Sequence, residues 1–173
     1  MDIFSTLLEV IDMRSFSNLW YWIALAVLWS SASYWVLGVP FDMIQRAKRH
    51  GGIAQDDLEA IVAVKVRRLL MIGEVSGLWV IGFICFSLTT LAILAFGYGV
   101  EFAQALFLLV FPLCFVGARA LATAVRIRDR GVAGEALQRA LLKHRFWTQV
   151  IGVIAVFVTA MFGMYQNLEL GAI

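Results

Sequence analysis

Charge is scarce in this sequence. Only 15% of its 173 residues are Asp, Glu, Lys or Arg, where a soluble domain has about 25%. Proline occurs twice, so no proline-rich linker divides the chain, and one unit over residues 1–173 is expected. The two cysteines, Cys85 and Cys114, lie inside apolar runs. They offer neither a C-x-x-C, a disulfide framework nor the ligand spacing of an iron–sulfur cluster, and read as small buried hydrophobes. His50 and His144 fall in polar segments, where they do not flank a membrane-embedded haem pocket. H-E-x-x-H, G-x-S-x-G and the phosphate loop are absent, and Asp129 and Glu135 lack an evident catalytic partner. The residues therefore point away from an enzyme, with no cofactor or metal ligands to name.

What the chain has in quantity is apolar sequence, 62% of all residues. Uncharged runs cover residues 15–41, 75–100, 102–118 and 146–168. A helix crosses the hydrocarbon of a bilayer with about 20 residues. Three runs suffice as they stand, and the third extends through Arg119, whose long stem carries its charge to the interface. The expectation is an all-α integral membrane protein with four transmembrane helices, about 18–40, 75–97, 102–121 and 147–168. None of the runs alternates as a β-barrel strand would. Gly97 to Glu101 makes a tight turn between spans two and three.

The basic residues set the orientation. Residues 42–74 and 119–145 hold thirteen of the fourteen Lys and Arg, and the other segments hold only Arg14. The positive-inside rule puts both basic connections in the cytoplasm and both termini in the periplasm of a bacterial inner membrane. Asp2, Glu9 and Asp12 give the N-terminus the wrong charge for a cleavable signal peptide. Trp20, Tyr21, Trp22, Tyr98 and Tyr165 would mark the outer interface, and Tyr34, Trp35, Phe146 and Trp147 the inner one, with Trp29 at mid-span.

Outside the spans, Ile3, Phe4, Leu7, Leu8 and Ile11 recur at helical spacing and predict a short N-terminal amphipathic helix. On the basic side, Asp42 to His50 is expected to continue span one. After the break at Gly51-Gly52, Asp56 and Glu59 resemble a helix cap. Leu58, Ile61, Val62, Val66, Leu69 and Leu70 then predict a helix running unbroken into span two, about forty residues in all. Helix 102–129 is expected to protrude likewise, and the last helix to start near Gly134. Glu74 would pair with Arg67, Arg68 or Arg119 at the inner edge.

Small and hydroxylated residues mark candidate helix-packing sites: Ser30, Ser31 and Ser33 in span one, Gly73 and Gly77 as a G-x-x-x-G, and Thr159 with Gly163 in span four. Arg126, Arg128, Arg130, Arg139, Lys143 and Arg145 form the candidate basic cytoplasmic surface, whose partners would be anionic headgroups or an acidic protein rather than nucleic acid. No Asp, Glu, His or Lys falls at mid-membrane, which disfavours a proton-coupled pump.

Residues 9–40, EVIDMRSFSNLWYWIALAVLWSSASYWVLGVP, are similar to a family of small alphaproteobacterial multi-pass membrane proteins whose usual label is a component of an iron–sulfur cluster assembly complex. The resemblance runs the full length of the chain and implies association with such a complex; it carries over no catalytic residue. The functional expectation is a non-catalytic accessory or scaffolding subunit of a larger inner-membrane complex, of the kind found in respiratory or photosynthetic assemblies, with other membrane subunits as partners. The alternatives are an assembly or regulatory factor that recruits a soluble partner through the basic surface, and a small oligomeric channel or carrier.

Overall fold

The computed structural model describes residues 16 and 18–171. The expected amphipathic helix at the N-terminus lies outside the described residues. Five α-helices make up nearly all of the rest. Helix α1, Leu19–Tyr34, starts where the Asn18 carboxamide accepts a hydrogen bond from the Trp20 amide at 3.0 Å. It does not continue to residue 40 as expected. Trp35–Val36 (β1) and Val39–Pro40 (β2) pair as a minimal antiparallel hairpin, Val36 opposite Val39. Leu37 and Gly38 turn it with positive φ at both positions, 53° and 76°. That is the twist a two-residue hairpin turn needs, and glycine takes it without cost. Pro40 is the local reason: it pushes Val39 into extended backbone and brings no N–H to continue a helix. Val36 and Val39 gain full burial from the reversal.

Helix α2, Phe41–His50, is therefore a separate element and not a stub of span one. Asp42 stands in its first turn and Lys48, Arg49 and His50 in its last, which matches the helix dipole at both ends. Helix α3, Gly52–Ala92, runs 41 residues without a break, or about 60 Å. Its start is set by Gly51 and Gly52, so Asp56 is interior to the helix and does not cap it. A wide turn, Ile93–Gly97, closes α3, and α4 spans Glu101–Arg130. Gly131, in the left-handed region, ends α4, with its own and the Val132 amide bonded back to the last carbonyls. Helix α5 is Gly134–Gly171.

Three helical stretches are long and apolar enough to cross a membrane: Gly52–Gly97, Glu101–Arg130 and Gly134–Leu168. At 16 residues, α1 is shorter. Helix α3 packs on α4, α4 on α5, α5 on α1, and α2 against the start of α3.

Burial divides the molecule into two ends. At the end that carries the basic residues, Leu58, Val62, Val66 and Leu70 form a four-residue stripe on α3. They pack with Val36, Val39, Ile44, Ala124, Ile127, Leu137 and Leu141 into one core. Further along, a smaller cluster joins Leu25 and Trp29 of α1 to Ala155 of α5. Outside these cores much of the apolar sequence of α3 and α4 is bare. In the most apolar windows of α3 and α4 only 6% of residues are buried, and Leu78, Trp79, Phe83 and Phe86 are exposed.

Candidate functional site

The buried stripe of α5 organises the molecule. Leu137, Leu141, His144, Thr148, Gly152, Ala155, Thr159 and Gly163 recur every three or four residues, and all are buried. At Gly152 the Trp29 ring comes so close that an added Cβ would stand 2.7 Å from its Cε3. At Gly163 the side chain of Phe16 occupies the equivalent space, 3.2 Å from such a Cβ. Thr159 is fully buried, and its hydroxyl donates to its own helix at Ala155 O, 2.8 Å away.

The expected packing residues fall into three groups. Thr159 and Gly163 lie on the buried stripe of α5. Gly73 has only an ordinary contact, with Leu121 of α4, and Gly77 has no neighbour within 4 Å, so the G-x-x-x-G makes no close backbone approach to a helix among the described residues. Ser30 and Ser31 are exposed, while Ser33 is half-buried and gives its carbonyl to Arg145. Gly152 is the close approach that the small-residue motifs miss. Its signal is the phase of the α5 stripe, which passes through it.

At the basic end the polar contacts stitch helix ends together. Glu59 Oε1 accepts from the Gly134 amide and from Gln55 Nε2, both at 2.7 Å, and Gln138 Nε2 donates to Gln55 Oε1 at 2.6 Å. The Gln55 and Gly134 donors hold the Glu59 carboxyl below its ordinary pKa, because they favour the charged form. Glu59 thus caps the start of α5 from across the bundle rather than serving α3. Glu74 pairs at 2.9 Å with Arg128, and not with Arg67, Arg68 or Arg119.

The six expected basic residues differ in their settings. Arg145 is a clasp: its Nε donates to Ser33 O at 3.0 Å and its guanidinium lies 3.5 Å over the Phe41 ring. Arg128 is shared between Glu74 and Asp129. Arg139 lines a cavity with Lys48, Gln55 and Gln138, and Arg130 is exposed at the end of α4. Arg126 and Lys143 instead line a groove between α4 and α5, of about 300 Å³, with Arg119, Thr123, His144 and Trp147. The Arg119 guanidinium carbon stands 4.9 Å from the Trp147 ring centre, at cation–π distance. Its Nε and His144 Nδ1 are buried with no hydrogen-bond partner. Burial, and then the nearby Arg119 charge, push the His144 imidazole below its ordinary pKa. His144 lies just before the uncharged run that begins at Phe146.

The two histidines differ in setting, His144 buried and His50 exposed. Among the described residues no group of three His, Cys, Asp or Glu is placed to hold a metal ion. Cys85 is exposed on α3 and Cys114 half-buried on α4, both as free thiols. Compared with known proteins, the chain matches no family model, no curated protein and no solved structure.

Proposed function

We propose that this chain is a four-span protein of a bacterial inner membrane, with both termini periplasmic, and that it serves as a non-catalytic accessory or scaffolding subunit of a larger membrane complex. The long helices supply three of the crossings. Helix α1 supplies the fourth: its 16 residues cover about 24 Å, against about 30 Å of hydrocarbon. Its ends carry Trp20 and Trp35, both exposed, at the levels where aromatic rings favour the interface. The thirteen basic residues of segments 42–74 and 119–145 put the packed end in the cytoplasm.

The observation that carries the subunit reading is the contrast between the two ends. The basic end packs its own core, whereas α3 and α4 bury only 6% of their most apolar windows. Bulky side chains such as Trp79, Phe83 and Phe86 stand exposed along α3. Such a face suits lipid and neighbouring helices, which pack through van der Waals contact alone. The half-buried G-x-x-x-G at Gly73 and Gly77 lies on the same helix, and the open space at Gly77 suits close approach by another helix.

The test is the native mass of the tagged chain, solubilised from its own membrane in mild detergent. Co-migration with other membrane subunits is expected. Migration as a monomer or a homo-oligomer contradicts the subunit reading.

A further inference from the structure

We propose that the groove between α4 and α5 is a phosphate-binding seat formed by Arg119, Arg126, Lys143, His144 and Trp147. Two helices build it in register. Arg119, Thr123 and Arg126 follow at intervals of four and three on α4, and Ala140, Lys143, His144 and Trp147 share one face of α5 at positions i, i+3, i+4 and i+7. Three fixed cations line one cavity and no carboxylate does. None of the three is in an ion pair among the described residues, although Arg128 nearby has two acidic partners. Like charges left together in this way call for an anion.

The second observation is the pair of unsatisfied nitrogens. His144 is 5% exposed, lines the groove, and has a buried Nδ1 without a partner. Arg119 lines the same cavity and has a buried Nε without a partner. Buried polar groups without partners are rare in native proteins, because each forfeits its hydration for nothing; where they cluster, a bound ion can satisfy them. The cation–π contact of Arg119 with Trp147, 4.9 Å from guanidinium carbon to ring centre, restrains the side chain and so lowers the entropy it loses on binding a ligand. Phosphate, with its several acceptor oxygens, matches such a cluster of donors.

Two sources can supply that phosphate, the headgroup of an anionic phospholipid and free phosphate. The depth of the groove favours the headgroup. Arg119 and Trp147 stand at the edges of the spans 102–121 and 147–168, the level where headgroup phosphates lie. This preference rests on the membrane reading above; the phosphate seat itself does not.

The test uses the full chain, purified in nonionic detergent and stripped of lipid. It is titrated with phosphatidylglycerol, with phosphatidylcholine and with inorganic phosphate, and bound ligand is counted by native mass spectrometry. Retention of phosphatidylglycerol over phosphatidylcholine is expected. Arg126→Gln and Lys143→Gln, both exposed residues whose loss leaves the core intact, should each weaken it roughly fivefold. Arg46→Gln, on α2, should leave it unchanged. Displacement of the lipid by millimolar inorganic phosphate supports the seat and assigns it to the soluble source. Equal retention of the two lipids with no phosphate bound overturns the proposal. So does an equal loss in Arg46→Gln, which would mean diffuse charge. Membrane insertion is read separately, by resistance to carbonate extraction, so a failure of the membrane reading is distinguishable from a failure of the seat.

Discussion

Arg145 shows how one side chain can be taken for surface charge when it is a structural tie. From sequence it is one basic residue among six. In the folded chain it meets the last turn of α1, where carbonyls lack helical partners and the dipole is negative, and it covers the Phe41 ring. Arg145→Gln should lower stability by about 1–2 kcal/mol, measured as a drop in the thermal unfolding midpoint in detergent; no change would reduce it to surface charge. Gly152→Ala should cost about 1–3 kcal/mol by overpacking against Trp29, and Trp29→Phe should recover part of that loss in the double variant. Simple additivity of the two would contradict the close approach. Glu59 gives the pH dependence. Its folded-state pKa lies below the unfolded one, so its stabilisation is present above the ordinary carboxylate value and is lost as pH falls through the folded value. The unfolding midpoint should therefore fall as pH drops below about 4.3, and fall less in Glu59→Gln. An identical acid profile for the two proteins would remove Glu59 from the clasp between α3 and α5.

At the scale of elements, the long helices were the legible part. Uncharged runs and the apolar stripe from Leu58 to Leu70 were enough to expect α3 as one helix of about forty residues, and 41 are found. Periodicity signals strongly over that length. The hairpin at Trp35–Pro40 was not legible, because hydropathy does not distinguish an apolar helix from two apolar strand residues on either side of a turn. Only Gly38 and Pro40 carried the signal, and both were absorbed into the expected span. Asp56 and Glu59 misled for a related reason: a cap motif is local, whereas Glu59 satisfies the start of a helix 75 residues away. The small-residue motifs behaved similarly, since the sequence shows where a close approach is possible but not which helix is near. Gly38→Ala tests the turn. Because φ is 76° there, the change should cost about 1–2 kcal/mol, seen as a lower unfolding midpoint with helix content by circular dichroism unchanged. A neutral outcome would mean that the turn tolerates a left-handed alanine.

For the whole molecule, the division between ends governs everything else. The three long helices run about 45–60 Å, well beyond the roughly 30 Å of bilayer hydrocarbon, and the surplus at the basic end folds with α2 and the hairpin into a core of its own. The result is a bundle with a well-packed basic end and sparsely packed apolar shafts on α3 and α4, which leaves room for lipid and other helices along the shafts. Four crossings with the basic base in the cytoplasm are the centre of this reading, and single-cysteine labelling in intact cells, in a Cys85→Ser, Cys114→Ser background, tests them most directly. Cysteine at Ser5 and at Gly99 should react with a membrane-impermeant maleimide added outside, and cysteine at Asp57 only after the membrane is opened. Protection of Ser5→Cys while Gly99→Cys still reacts would mean that α1 does not cross, and labelling of Asp57→Cys from outside would overturn the orientation.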